Sequence, residues 1–254
     1  MTSLQGQRAL ITGGQRGLGW AIAETYAKAG ARVMIQDLDG KGAEAAAAKL
    51  RRANLDAQSI GGSVTATQDI AAMFRRLDEL WGGIDILVNN AGISQNKPTV
   101  DMTPEDWDRI MDVNLRGVFL CALEAGKRMV KQKSGLIINM SSVWGIVAGP
   151  ARIGYCVSKA GVSQMTKALA VEWAADGVRV NAIAPGYTET PMLRSVFDSG
   201  KVSEEAIRRR TPMGRLAEPQ EMADMALFLA SPQAKYITGQ IMAVDGGWTA
   251  YGYI

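Results

Sequence analysis

Short apolar runs alternate with amphipathic segments along the whole chain. Strands are predicted at 8–12, 32–37, 57–61, 84–89, 135–140, 178–183 and 240–244. Runs such as Ile-Asp-Ile-Leu-Val and Gly-Leu-Ile-Ile-Asn are apolar at nearly every position, the pattern of strands buried on both faces. The intervening segments 18–29, 41–53, 67–81, 103–132, 154–175 and 218–230 are amphipathic or Ala-rich and predict helices. The run Ala45–Ala48 belongs to one of these as a good helix former. Strand–helix alternation with no repeat and no linker implies one α/β domain over residues 1–254. Its seven-stranded parallel sheet is doubly wound, with helices on both faces and ligands at the carboxyl ends of the strands.

One stretch breaks the rhythm. Residues 185–219 carry Pro185, Pro191, Pro212 and Pro219, with a short helical piece near 204–210. A long excursion at a strand's carboxyl end reads as a substrate loop or lid.

Composition narrows the chemistry. There is no histidine and there are two cysteines, Cys121 and Cys156. A Ser-His-Asp triad is therefore impossible, and neither a zinc ligand set nor a disulfide scaffold is visible. Acid/base work near neutral pH falls to Tyr, Lys, Asp, Glu or Cys. The net charge of +3 is spread over the chain, so no nucleic-acid footprint is expected, and Arg208-Arg209-Arg210 reads as a solvated helix face. No membrane span or signal sequence is visible, and the chain reads as cytoplasmic. Cys156 and Cys121 read as packing residues, and the thirteen Met residues as core filler.

The first predicted strand runs into Thr12-Gly13-Gly14-Gln15-Arg16-Gly17-Leu18-Gly19, followed by a helix. Glycines there let the backbone turn sharply and approach a pyrophosphate, which the helix N-terminus then receives. This is the dinucleotide-binding turn of a Rossmann-type fold. Asp37, at the end of the second strand, sits where a carboxylate accepts hydrogen bonds from the adenosine ribose and repels a 2′-phosphate. Arg16 opposes it, since a cation beside the loop suits that phosphate. Asp37 gains bonds with NAD, whereas a flexible Arg16 swings away from a neutral ribose at little cost, so NAD is the expected cofactor.

Tyr155 and Lys159 stand four apart in Tyr-Cys-Val-Ser-Lys and share a helix face. A phenol with a pKa of ~10 is a poor base at neutral pH. A nearby ammonium favours the phenolate, so Lys159 is expected to lower the Tyr155 pKa.

Over essentially its whole length the chain resembles the short-chain dehydrogenases/reductases, in their compact single-domain branch. The matching segments are the turn Gly13, Gly17, Leu18 and Gly19; Asn89-Asn90-Ala91-Gly92 after the fourth strand; Asn114 in Asp-Val-Asn-Leu; Ser142, thirteen residues before Tyr155; and Pro185-Gly186 with Thr188 and Thr190. The resemblance implies a catalytic set of Asn114, Ser142, Tyr155 and Lys159. Ser142 would orient the substrate oxygen and Tyr155 would exchange its proton. Lys159 would also hold the nicotinamide ribose, and Asn114 would place a relay water. It implies cofactor contacts from Asn90, Ala91, Gly92, Pro185, Gly186, Thr188 and Thr190, and from Ser63 and Val64 at the adenine. Ser63 stands where many relatives carry Asp, which weakens the adenine contact.

Trp144, two residues past Ser142, is expected to line the substrate pocket, and Gln95, Arg152 and Tyr187 fall near the same mouth by analogy. Such a partly polar pocket suits a small hydroxylated alcohol or ketone. The aromatic tail from Asp245 to Ile254 is expected to be buried, in part against another subunit, and the resemblance implies a homotetramer. Three functions compete. The first is NAD-dependent oxidoreduction of a polyol, sugar or similar secondary alcohol. The second is NADPH-dependent reduction of a 3-oxoacyl thioester, against which Asp37 argues. The third is a non-catalytic dinucleotide sensor, which has no chemical need of the four-residue set.

Overall fold

The structure is a computed structural model and describes residues 3–198, 200 and 202–252. Seven parallel strands form one sheet: β1 (Arg8–Thr12), β2 (Arg32–Asp37), β3 (Ala57–Gly61), β4 (Ile86–Asn89), β5 (Gly135–Met140), β6 (Val178–Pro185) and β7 (Ile241–Val244). Their spatial order is β3-β2-β1-β4-β5-β6-β7. The order reverses between β1 and β4, where Leu10 lies opposite Leu87. A reversal of this kind opens a crevice outside the carboxyl ends of the two strands.

Both faces of the sheet are buried, and alternate residues of one strand feed different cores. Ala9 and Ile11 of β1 join one core, closed by α1 (Gly17–Lys28), α2 (Gly40–Arg52) and α9 (Pro219–Ala230). Leu10 joins the other, closed by α3 (Thr67–Trp81), α5 (Gly117–Gln132) and α6 (Ile153–Trp173). Tyr26 of α1 is fully buried, and its hydroxyl donates to the Ala226 carbonyl of α9 at 2.9 Å. No described helix is long and apolar enough to cross a membrane.

Four elements differ from the sequence pattern. The single helix expected over 103–132 is α4 (Pro104–Met111) followed by a π-helical turn at Asp112–Arg116, which runs into α5. Apolar periodicity does not register one extra residue per turn, and such bulges recur at functional sites. Thr103 starts α4 by accepting from the Asp106 N–H, while the Asp106 carboxylate answers to the Thr103 N–H. The excursion at 185–219 carries α7 (Pro191–Asp198), which the pattern missed, besides α8 (Glu204–Arg210). β4 starts at Ile86 rather than at residue 84, and β6 runs on to Pro185. Of the methionines, Met34, Met73 and Met222 fill core as expected, but Met192 and Met213 are exposed on the excursion.

Candidate active site

The loop after β1 is shaped by glycine. Gly13 and Gly17 have φ of +63° and +58°. A Cβ on Gly19 would lie 2.3 Å from the Gly13 carbonyl oxygen, so any side chain there would break the turn. The Asn90 amide donates to the Thr12 and Gly13 carbonyls at 3.0 and 2.9 Å, and Thr12 Oγ1 accepts from the Asn90 and Ala91 N–H groups. Asn90 thus braces the turn from within the crevice. No side chain caps the N-terminus of α1 and its first turn holds no acid, which leaves the helix end to an anion. Thr190 lies 3.7 Å from where a Gly17 Cβ would be, so the start of α7 sits over the loop.

Asp37 accepts from the Gln15 N–H at 3.4 Å, from Gln15 Nε2 at 3.2 Å and from the Asp39 N–H at 3.3 Å. Gln15 is a residue the sequence reasoning passed over, because its position in the turn carries no fixed chemistry. Arg16 is exposed, and among the described residues no ion pair joins it to Asp37. Beyond the carboxyl end of β3, the Ser63 hydroxyl bonds Thr65 Oγ1 at 2.8 Å and accepts from the Thr65 N–H, while Asp69 holds the Ser63 N–H. Val64 is buried in the core, in contact distance of Gly117.

At the carboxyl ends of β4 and β5 four polar residues converge. Lys159 is buried, and its Nζ donates to the Met140 carbonyl at 2.7 Å. It lies 5.7 Å from the centre of the Tyr155 ring. Asn114 grips Ile93 in both directions, accepting from its N–H at 2.8 Å and donating to its carbonyl at 2.9 Å. Gly92 is thereby wedged between Asn114 and Lys159: a Cβ there would sit 3.3 Å from Asn114 Oδ1 and 3.7 Å from Lys159 Nζ. Ser142 accepts from the Trp144 N–H at 3.2 Å, and its hydroxyl lies near enough to the Tyr155 phenol to lower the phenol's pKa. Its loop is pressed onto α6, with Ser141 Oγ bonded to Ser163 Oγ at 2.7 Å and to the Lys159 carbonyl at 3.1 Å.

Burial, not Lys159, dominates the phenol. Desolvation raises the Tyr155 pKa above the usual phenol range, while the Ser142 hydroxyl and the Arg152 charge pull it back. The expected lowering by Lys159 is absent here, because desolvation acts on the lysine itself and brings its pKa down to about 8. Cys121 is fully buried as expected and its thiol is pushed up to about 12, whereas Cys156 is only partly buried.

On the β6 side, Pro185 closes its strand and Gly186 packs so tightly on Asp245 that a Cβ would meet its Cα at 2.8 Å. Thr188 Oγ1 donates to the Gly186 carbonyl, and Thr190 Oγ1 accepts from the Leu193 N–H. Trp144, Tyr187 and Trp248 form an edge-to-face cluster, with centroids 5.0 Å apart for the two indoles and 6.0 Å for Tyr187 and Trp248. Arg152 lies 5.0 Å over the Trp144 ring. Gln95 lies against Gly154 at the start of α6. Trp248 comes from the tail, which sequence reasoning assigned in part to another subunit. It is buried in its own chain, below a turn in which Asp245 accepts from the Gly247 and Thr249 N–H groups. Tyr253 and Ile254 lie outside the described residues.

The family model described as enoyl-(acyl carrier protein) reductase matches residues 13–249. A galactitol 2-dehydrogenase from Rhizobium johnstonii is 42% identical over 258 residues, covering 98% of this chain and 97% of the relative. A 3-oxoacyl-[acyl-carrier-protein] reductase from Thermotoga maritima is 38% identical over 244 residues, covering 96% and 98%. Among solved structures, a gluconate 5-dehydrogenase from Burkholderia cenocepacia, in complex with NADP and tartrate, superimposes with a TM-score of 0.93. It is 36% identical, with 98% of this chain and 97% of that chain covered.

The buried lysine has a signature in stability. Unfolded, Lys159 keeps its proton up to 10.5; folded, it releases it near 8. Between these values the unfolded chain binds more protons, so this group's contribution to stability rises with pH. The difference in unfolding free energy between wild type and Lys159→Met should therefore grow by about 3 kcal/mol from pH 8 to pH 10.5. Denaturant unfolding of the cofactor-free proteins at fixed concentration measures it, and a flat difference would show that the ammonium is not desolvated.

Proposed function

The chain belongs to the short-chain dehydrogenase/reductase family, and we propose that it is an NAD(H)-dependent oxidoreductase interconverting a secondary alcohol of a polyol, sugar or similar small molecule with its ketone. The observation that carries this reading is the convergence of Ser142, Tyr155, Lys159 and Asn114 beside the crevice where the sheet order reverses. Oxidation removes a proton from the hydroxyl and a hydride from the carbinol carbon. Tyr155 takes the proton; Ser142 donates to the substrate oxygen and holds it against the phenol. Lys159, positive below about pH 8, would bind the cofactor ribose. Asn114 fixes Gly92 beside that lysine and holds a relay water leading to solvent. Reduction runs the same steps in reverse.

The glycine turn fits a dinucleotide, because the Gly13–Gly19 contact leaves room for no side chain and the helix end above it is uncapped. Gly13, Arg16, Gly17, Leu18 and Gly19 would hold the pyrophosphate, Ser63 and Val64 the adenine, Asn90–Gly92 the adjoining ribose, and Pro185, Gly186, Thr188 and Thr190 the nicotinamide amide. When bound, the nicotinamide ring supplies the hydride acceptor or donor. The choice of NAD rests on Asp37, whose carboxylate is oriented by three N–H donors at the end of β2. Alcohol substrates are supported by the names of the Rhizobium and Burkholderia relatives and by the half-polar mouth of Gln95, Trp144, Arg152 and Tyr187. A second reading, NADPH-dependent reduction of a 3-oxoacyl thioester, draws on the name of the Thermotoga relative and on Arg16.

A homotetramer is part of the proposal. Phe119 of α5, Val157 and Val171 of α6, and Phe228 of α9 present apolar side chains to the outside. Light scattering on the purified chain should give four times the monomer mass, and a monomer would remove this part.

Tyr155→Phe should keep NADH binding, read by fluorescence, but lose at least ~100-fold in turnover. Near-normal turnover would remove the assigned acid/base. Wild type should prefer NAD over NADP by at least ~10-fold in kcat/KM, and Asp37→Ser should narrow or reverse that ratio. A wild type that uses NADP equally well would move the thioester reading to first place.

A further inference from the structure

The mouth of the site holds a cation without a counter-ion. Arg152 flanks the N-terminus of α6, three residues before Tyr155, and is half-buried. Its guanidinium stacks 5.0 Å over Trp144. Its charge bears on the phenols of both Tyr155 and Tyr187. Other cations of the loop after β4 and of the excursion are engaged by acids: Lys97 by Asp106, Arg194 by Glu189 and Glu204, and Arg208 by Glu204. Arg210 lies between the Trp248 and Tyr251 rings and donates to the Trp248 carbonyl. Among the described residues, no Asp or Glu forms an ion pair with Arg152. Two further polar atoms at this rim are buried without a hydrogen-bond partner, the Trp248 indole Nε1 donor and the Gln95 Oε1 acceptor.

We propose that the substrate is a sugar acid of the aldonate class, its carboxylate held by Arg152 while the carbinol to be oxidised lies at Ser142 and Tyr155. This rests on the secondary-alcohol reading above and names its substrate class. A half-desolvated cation with no acid beside it is poorly solvated until an anion arrives. A guanidinium offers a planar fork of N–H donors that matches a carboxylate bidentately, and stacking on Trp144 holds that fork in place. One cation balances the single charge of a carboxylate and leaves a phosphate dianion half-paired. A 3-oxoacyl thioester carries no anionic group next to its keto carbon and would leave Arg152 unmatched.

The test uses the full-length protein with NAD, a panel of hexonates, the alditol matched to each and glucitol 6-phosphate, and, with NADPH, a 3-oxoacyl thioester. The best hexonate should exceed its alditol at least tenfold in kcat/KM. Arg152→Met should cut hexonate kcat/KM at least about tenfold, chiefly through KM, and bring that preference close to one. Arg152→Lys, which keeps the charge without the fork, should fall between. Calorimetric titration of the best hexonate into the protein–NADH complex should show the same order of affinities, independently of turnover. Equal losses on hexonate and alditol, or a wild type that prefers the alditol, would overturn the assignment and leave the secondary-alcohol reading standing. Preference for glucitol 6-phosphate over every hexonate would overturn the carboxylate assignment in favour of a phosphate. Turnover of a 3-oxoacyl thioester alone would overturn both readings.

Discussion

The site is organised around one buried ammonium. Lys159 projects from α6 into the carboxyl end of the sheet and donates to the Met140 carbonyl that ends β5. Withdrawing a charge from water is costly, and the fall of its pKa to about 8 records that cost. The contact ties the helix bearing Tyr155 to the strand that leads into Ser142. It also faces the segment across the crevice, since Gly92 lies between that nitrogen and Asn114. Phenol, hydroxyl, ammonium and amide are therefore set by one helix–sheet packing. The close approach of Gly145 to the Lys159 backbone, where a Cβ would lie 2.7 Å away, keeps that packing tight.

A second constraint is steric and governs the other end of the crevice. The turn after β1 folds back until Gly19 meets Gly13, and Asn90 reaches from β4 to brace it. Both strands of the topological switch point thus contribute to one backbone cradle at a helix end. The site chemistry and the cradle are linked through β4, whose exit segment carries Asn90 on one side and Gly92 on the other. The π-helical turn at Asp112–Arg116 serves the same junction by bringing Asn114 onto Ile93. The mouth is built differently, from three separated segments whose aromatic rings meet edge to face: Trp144 after β5, Tyr187 after β6 and Trp248 after β7.

Much of this was legible in the chain. Burial on both faces writes strands as unbroken apolar runs, so six of the seven strands start at or within a residue of their expected positions. The glycine turn, Asp37 and the Tyr155–Lys159 pair are local features: their spacing alone puts them at a strand end or on one helix face. The four-residue set was legible only through its resemblance to a family, because Asn114, Ser142 and Tyr155 come from separate elements. Residues 84 and 85 read as strand because Ile84 extends the apolar run, yet Ile84 packs in the core ahead of β4.

What the sequence by itself determined, then, is the order of elements, the two-sided core and the chemistry available in a chain without histidine. Tertiary structure alone decided the rest. The π turn within 103–132 escapes periodicity, because a bulge of a single turn is shorter than the window over which an apolar stripe is read. Gln15 became the partner of Asp37 only when the turn folded back over β2. Trp248 joined the mouth because the Asp245 turn folds it onto Trp144. The balance of charges around Tyr155 was equally beyond the sequence. Proximity to Lys159 suggested a lowered pKa, but desolvation depends on how much of each group is removed from water, and burial is a property of the packed molecule, not of spacing along a helix.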